Sequence, residues 1–582
     1  MSGAPSEIAL QIIWNRLIAV VEEQAQTLVR TAFSTSAREA GDISAGVFDP
    51  EGRMLAQAVT GTPGHVNSMA RSVGHFLQAF PPASLREGDI LITNDPWKGT
   101  GHLFDLTVVT PVFLAGRLVA LFASTTHVVD IGGLGASAEG RQIYHEGLYI
   151  PLMYLARQGE LNEDLLALVR ANVREPVQVL GDIHALIACN RKGAERLVAM
   201  MREFGLTDLS QPAEAIIARS RRAMGEAIAR LPQGSWSASM TIDGFEAPVT
   251  LAARLTIAGD RVLVDYAGTS GLSRYAINCP LCYTEAYTCF AIKAAIAPWI
   301  PNNTGTLDAV VVTAPENSIV NAPHPAAVFA RSVIGHMLPD LIYGCLDQAL
   351  PETVPAEGTS SLWNLTLLAG HGLTGSGGSA TRAFTVTTFH SGGAGARPRQ
   401  DGLSATPFPS GVRNVPVEIT EAITPLVIWR KELRCGSGGP GRQRGGLGQR
   451  MVVGRRDGEA FALQARFERV RFPARGRAGG WPGAAGRLSL ASGAPLAAKG
   501  LQVIPAGDRL VVEMPGGGGY GDPLDRDPAL VARDLRYGLI EEAEAREVYG
   551  VILGPDGEPD GPATDRQRAA LRTARASAAD PG

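Results

Sequence analysis

Cysteine is scarce in this chain, six residues in 582. That is too few for a disulfide framework in a protein large enough to do without one, so reduced thiols and a cytoplasmic setting are expected. Charge of one sign is also lacking. The 53 basic and 57 acidic residues leave a formal net charge of -4, and no basic run is interleaved with the aromatics, which make up 6%; nucleic acid and anionic membranes are thereby excluded as expected partners. Long hydrophobic runs are missing: nothing approaches the roughly 18 uninterrupted apolar residues of a membrane span, and MSGAPSEIALQIIWNRL lacks a leader pattern. What is present is 45% hydrophobic residues, enough to pack roughly two to four domains.

Residues 7–33 carry Ile13, Leu17, Val20, Val21 and Leu28 at a helical period without Gly or Pro, which predicts a long amphipathic helix. DISAGVFDPEGRMLAQA, from Asp42, sets two short apolar runs around Asp49, Pro50, Glu51 and Gly52 and predicts a β-hairpin. A second hairpin joins DLTVVTPVF (105–113) to RLVALFASTTH (117–127) at Ala115-Gly116. Helical patterns fill 160–232, strand alternation follows Gln233-Gly234-Ser235, and a boundary is expected near 234. Helices return at 281–296 and 326–350. The fold class is thus mixed α+β and multidomain, in four regions. They are an N-terminal region of helix, hairpins and helical segment (1–234), a mixed α/β domain (235–360), a Gly-rich, strand-rich region (361–515), and a C-terminal helical segment with a disordered tail (516–582).

If Ala115-Gly116 closes the second hairpin, residues whose numbers sum to about 231 oppose one another, and Asp105 faces a position within about one residue of His127. Opposed Cβ atoms lie roughly 4.5–5.5 Å apart, a gap that one divalent cation bridges between a carboxylate and an imidazole. His102, three residues before Asp105, lies where a turn can swing it onto the same ion. Nitrogen and oxygen donors suit zinc, manganese or iron better than calcium. Such a metal lowers the pKa of a bound water toward about 7 and polarises carbonyls, as amide hydrolysis requires. The same spacing also fits ordinary strand-end histidines with acids capping turns. Spacing alone leaves both readings open.

Several motifs occur in one order: NDPWKGTGHLFDLTVVTPVF (94–113), THVVDIGG (126–133), YHEGLYIP (144–151), GSGGPGRQRGGLG (436–448) and MPGGGGYGDPLDRDP (514–528). In these the chain resembles, nearly end to end, the hydantoinase B/oxoprolinase family, which includes B subunits of ATP-dependent N-methylhydantoinases and the C-terminal half of 5-oxoprolinase. The resemblance implies His102, Asp105 and His127 as ligands of a divalent metal (Zn or Mn), with Asp42 as a further ligand. It implies a hetero-oligomer in which a separate A-type subunit binds ATP and phosphorylates the carbonyl oxygen of a small cyclic amide, whose ring this chain then opens. Acetone and acetophenone carboxylases are similar too, which gives a carboxylase subunit as the alternative, and a scaffold with a degenerate site is a third reading. Two departures stand out: Gly99-Thr100-Gly101-His102 replaces the family's Gly-Gly-Thr-His, and Val128 follows His127 where a second histidine is common.

Asp95 and Asp130 are candidates to orient a ligating imidazole, or else to cap turns. Asp130 and Glu146 are the candidate catalytic groups, Glu146 as acid/base or orienting group; His145 beside it reads as a surface histidine. The Pro515–Asp522 glycine run has no Gly-Lys-Ser/Thr after it and reads as a structural turn rather than a phosphate loop. Cys279-x-x-Cys282 lacks a second ligand pair, so it reads as the start of a helix with Pro280 at its first position. Gly392, Gly393, Gly395 and Arg397 either line a cleft or pack tightly.

Overall fold

The computed structural model describes residues 6–370 and 383–579. These form two compact units: Met1–Met240 with Phe245–Ala349 and Pro409–Val415, and Thr241–Gly244 with Leu350–Phe408 and Pro416–Gly582. The change of texture at residue 234 is therefore a passage from helices to strands inside the first unit, not a boundary between domains.

In the first unit the predicted N-terminal helix is α1 (Glu7–Thr31), capped by the Ser6 hydroxyl and buried along Ile13, Leu17, Val21 and Leu28. One turn, α2 (Thr35–Arg38), leads into the first hairpin, β1 (Ile43–Phe48) and β2 (Met54–Gln57). Helix α3 (Pro63–Ala79) opens with proline at its first position. Strands β3 (Ile90–Thr93), β4 (Asp105–Leu114), β5 (Arg117–His127), β6 (Met153–Arg157) and β7 (Glu160–Leu161) complete a seven-stranded sheet of order β2-β1-β5-β4-β3-β6-β7. Ala115 and Gly116 at φ 51° and 76° form the tight turn whose twist matches a hairpin.

The turn pairs Leu114 with Arg117 and Phe113 with Leu118, but Val112 pairs with Ala120. Val119 is thus a bulge that adds one to the register and sets Asp105 directly opposite His127. On the other side of β5, Ile43 pairs with Thr126, and the His127 N–H donates to the Asp42 carbonyl at 3.1 Å. Three neighbouring strands therefore bring Asp42, His127 and Asp105 to one edge.

Both faces of this sheet are covered, so β4 and β5 are buried almost throughout. On one face, Met69, Val73 and Phe76 of α3 join Phe48, Leu91, Val109 and Leu121 in a single core. On the other lie α1 and α5 (Pro176–Glu203), which follows α4 (Glu163–Asn172). There Gln24 and Asn190 donate to strand carbonyls at Ala123 and Val108. Helix α6 (Ser210–Ala229) leads to a second sheet of β8 (Gly234–Ile242), β9 (Val249–Ala258), β10 (Arg261–Asp265) and β11 (Val310–Thr313), whose first three strands alternate in burial as expected. Helix α7 (Leu281–Ile296) has Pro280 as its N-cap, one position before the expected place, and Cys279 and Cys282 are free thiols. The short α8 (Thr304–Leu307) and α9 (Ser332–Gly335) and the longer α10 (Leu338–Ala349) complete the unit.

The second unit holds two four-stranded antiparallel sheets. One is β12 (Leu365–Ala369) between β13 (Phe384–Thr388) and β16 (Phe461–Arg466), with β18 (Lys499–Ile504) beyond. After α11 (Val417–Ile423), the other runs β14 (Leu426–Leu433), β15 (Gln449–Arg455), β19 (Leu510–Glu513), β17 (Arg487–Leu490). Trp363, stacked on Phe467 at 4.5 Å, sits in a core shared by both sheets. Part of the expected Gly-rich, strand-rich region, residues 371–382, lies outside the described residues.

The glycine run is a structural core, not a phosphate loop. Its N–H groups are spent on neighbouring main chain, Gly517 on Gly446, Gly518 on Glu357 and Gly519 on Trp481. A Cβ on Gly516 would stand 1.7 Å from the Ser437 carbonyl oxygen, and one on Gly393 1.8 Å from that of Gly446. Glycine is compelled here by close approach. Gly392, Gly393 and Gly395 accordingly pack against backbone rather than line a cleft. Beyond α12 (Pro528–Arg536) and α13 (Glu542–Glu547), most of the expected disordered tail is the helix α14 (Gly561–Ala579), as its Ala- and Arg-rich sequence favours.

Candidate metal centre

The loop between β3 and β4 is built residue by residue to deliver its side chains. The Asn94 side chain donates to the Leu103 and Leu148 carbonyls at 2.8 and 2.9 Å and accepts from the Ile150 N–H. It thereby ties the loop to the YHEGLYIP segment that leads into β6. Asp95 caps the turn, accepting from the N–H groups of Trp97 and Lys98. Of the alternatives for Asp95, the structure takes the turn cap. Gly101, at φ 100°, has room for no Cβ, which would meet the Arg331 side chain at 2.5 Å.

His102, Asp105 and His127 form a three-donor group whose ligand atoms lie within 4.8 Å of one another. His102 Nε2 is 2.8 Å from Asp105 Oδ1, His127 Nδ1 is 3.1 Å from the same oxygen, and the two ring nitrogens are 3.2 Å apart. Asp42 is brought alongside but not into this group. Its backbone carbonyl receives the His127 N–H, and its carboxylate stands 3.6 Å from His65 Nδ1.

The donor set fits a cation. His102 Nδ1 lies 2.9 Å from the Phe329 carbonyl oxygen, so the ring proton sits on Nδ1 and Nε2 turns a lone pair toward Asp105 Oδ1. Burial and the Arg331 charge push the His102 pKa down to about 3, so no second proton relieves that contact near neutrality. Donors held about 2.0–2.2 Å from a metal ion stand roughly 2.8–3.6 Å apart between right-angled and tetrahedral arrangements, a range that includes the 2.8–3.2 Å separations here.

Asp105 is held by its other oxygen. Oδ2 accepts from Thr100 Oγ1 at 2.7 Å and Arg331 at 2.6 Å, with His65 Nε2 at 3.0 Å. Burial alone would raise its pKa, but His102, His65 and Arg331 hold it well below the usual carboxylate range. Burial opposes the charging of His65, and the carboxylates of Asp105 and Asp42 outweigh it and raise that group. Arg331 is itself fixed by the Thr100 carbonyl and by the Tyr283 ring, 4.1 Å beneath its guanidinium.

Glu146 reaches the centre indirectly. One of its oxygens accepts from the N–H groups of Val328 and Phe329 at 2.6 and 2.9 Å, which holds in place the residue, Phe329, whose carbonyl orients His102. Its other oxygen is buried with no partner among the described residues, and burial raises its pKa to about 8. Asp130 is not brought to the centre: it binds the Arg174 guanidinium at 2.6 Å and the Gly132 N–H, so it organises the 130–133 turn rather than a ligating imidazole. His145 is exposed and accepts from the Arg141 N–H.

Arg331, His65 and Thr100 were not singled out from sequence. Two weak signals pointed to them. His65 lies four and eight residues before Met69 and Val73 on the buried face of α3, and Arg331 is the one charge in AAVFARSVIGHML; a polar group so placed needs a buried partner.

The hydantoinase B/oxoprolinase family model matches residues 6–523. The chain is 30% identical to an uncharacterized protein of Methanocaldococcus jannaschii over 94% of its own length and 96% of that protein's. It is 28% identical to the caprolactamase subunit beta of Pseudomonas jessenii, over 97% of this chain and 99% of that one. The crystal structure of the ATP-dependent caprolactamase from that organism superposes with a TM-score of 0.86 and 26% identity, covering 97% of this chain and 100% of its own. A nucleotide-free acetone carboxylase shares the fold alone, with a TM-score of 0.85 at 22% identity over 98% of this chain and 83% of that one. The chain belongs to the hydantoinase B/oxoprolinase family.

Proposed function

We propose that this chain is the metal-dependent subunit of an ATP-coupled cyclic amidase, opening a ring amide whose carbonyl oxygen has been phosphorylated on an ATP-binding A-type partner. The observation that carries this reading is the His102–Asp105–His127 group, set in a family whose relatives include a caprolactamase subunit. A divalent metal held there, zinc or manganese, would polarise the substrate and lower the pKa of water toward about 7. The chain's own residues do the rest. The Phe329 carbonyl fixes the His102 tautomer, Arg331 and Thr100 aim one oxygen of Asp105 inward, and Glu146 locks the 328–329 peptide. The net reaction consumes two waters. The first adds its oxygen to the activated carbonyl carbon as the ring C–N bond breaks and the nitrogen takes up the protons, leaving an acyl phosphate. The second hydrolyses that acyl phosphate to the free carboxylate and inorganic phosphate. Nucleotide chemistry is assigned to the partner because the N–H groups of the 514–521 glycine run are engaged by backbone carbonyls.

The test is to co-express the chain with a candidate ATP-binding partner and supply ATP with a five- to seven-membered lactam or hydantoin. ATP-dependent ring opening, lost in His102→Ala, is expected. Incorporation of labelled bicarbonate into a ketone, with no ring opening, would overturn the assignment in favour of a carboxylase.

A further inference from the structure

In the first unit a cavity of about 330 Å³ lies between the loop after β2, the start of α3 and the C-terminal half of α7. That volume is at the lower end of small-molecule sites. Its walls are largely apolar, with Val59, Val66, Phe290 and Pro298 among them, and its polar groups are Gln57, Asn67, Lys293 and Asn302. The three amides are locked together. Asn302 Nδ2 donates to Gln57 Oε1 at 2.7 Å and to Asn67 Oδ1 at 2.8 Å, Asn67 Nδ2 donates to the Ala286 carbonyl, and Asn302 Oδ1 accepts from Thr306.

Every amide oxygen is thus engaged, and the polar lining groups without a partner among the described residues are donors: the single amide nitrogen of Gln57, Nε2, and the amine of Lys293. Five lysines occur in the sequence. Lys98, Lys192 and Lys499 have a carboxylate within 4 Å and Lys431 feels Glu418, whereas among the described residues Lys293 has no acidic neighbour. Burial alone pushes its amine below the ordinary lysine range, the mark of a cation set into a wall without its counter-ion. Thr62, at the N-cap position of α3 beside the lining residue Pro63, makes no side-chain capping bond, and its buried hydroxyl has no partner among the described residues. The positive end of the α3 dipole starts there.

We propose that this cavity binds a small aliphatic carboxylate, its oxygens received by Lys293 and Gln57 and its hydrocarbon body laid against Val66, Phe290 and Pro298. A cation without an acid selects an anion, and apolar walls select a short chain over inorganic phosphate. The cavity shares no lining residue with the His102–Asp105–His127 group, and the binding proposed does not use that group's chemistry.

The test is isothermal titration of the full chain, chelator-treated, with hexanoate, hexanamide and 6-aminohexanoate. Hexanoate is expected to bind saturably at one site and hexanamide at least tenfold more weakly. Lys293→Met and Lys293→Gln should each weaken hexanoate at least tenfold, Ala294→Trp should abolish it by filling the cavity, and Lys192→Met should change nothing. His102→Ala must bind hexanoate like the parent, which separates this site from the metal centre. If 6-aminohexanoate matches hexanoate, the natural ligands are of the ring-opened amino acid kind; if it binds tenfold more weakly, they are plain carboxylates. Absence of saturable hexanoate binding, equal binding of acid and amide, or unchanged affinity in both Lys293 variants would overturn the proposal.

Discussion

Replacing Arg331 by methionine removes the guanidinium from Asp105 Oδ2 but keeps an unbranched side chain to lie over Tyr283. The pair is deeply buried, Arg331 at 3% exposure and Asp105 at 1%, and Thr100 and His65 then face the carboxylate without the permanent cation. Removing one partner of such a pair costs about 3–5 kcal/mol, because the remaining charge is left in low dielectric. For a unit of roughly 350 residues, with an unfolding entropy near 2.1 cal/mol/K per residue, that corresponds to a melting point lower by about 4–7 °C. A divalent ion at the three-donor group would restore positive charge beside Asp105, so zinc should recover most of the loss. Calorimetric scans of chelator-treated and zinc-reloaded protein test this: the metal-induced rise should be larger in Arg331→Met than in the parent by about the deficit of the metal-free form. Equal melting of the two metal-free proteins, or equal metal-induced rises, would refute the reasoning.

His102→Ala and His127→Ala should each bring zinc content from about one per chain to near zero by elemental analysis while leaving circular dichroism unchanged; full retention would remove the metal assignment. Glu146, with its pKa raised to about 8 by burial, favours the folded state when protonated. Its contribution is complete below its unfolded value near 4.5 and is lost as pH rises through about 8. Glu146→Gln should therefore flatten the fall in melting temperature between pH 6 and 9, and a variant as pH-sensitive as the parent counts against that. Two glycines should behave oppositely. Gly74→Ala, inside α3 with open space around it, should gain about 0.5–1 kcal/mol, whereas Gly516→Ala should prevent soluble folding of the second unit. Thermal melts and soluble yield decide both.

Features that depend on local pattern were legible in the sequence. Ala115-Gly116 fixed the hairpin, and Asp105 and His127 could be set opposite each other to within a residue because strand pairing propagates from a turn. The missing residue was Val119, a bulge that alternation does not announce. Arg331 and Phe329 join the site from more than 220 positions away, and only tertiary packing shows that a carboxylate pinned on one oxygen presents the other. The expected boundary at 234 failed for a related reason. A switch of period from helix to strand marks a change of element, while domain membership follows from which core those strands enter. The tail misled because Pro, Gly and Asp at 555–561 obscured the Ala- and Arg-rich helix beyond them.

The glycine run of the second unit carries a thermodynamic signature. Where Gly393, Gly446 and Gly517 meet, the interior consists of peptide groups bonded to peptide groups, with almost no hydrocarbon withdrawn from water. Exposing amide surface lowers the heat capacity of unfolding, whereas exposing hydrocarbon raises it. Per residue, the heat-capacity increment of this region should fall below the usual 12–15 cal/mol/K or so. The glycine core should then contribute a flatter, broader stability curve than the apolar seven-stranded sheet of the first unit, while the Trp363 and Phe467 core of the same unit follows the ordinary hydrocarbon pattern.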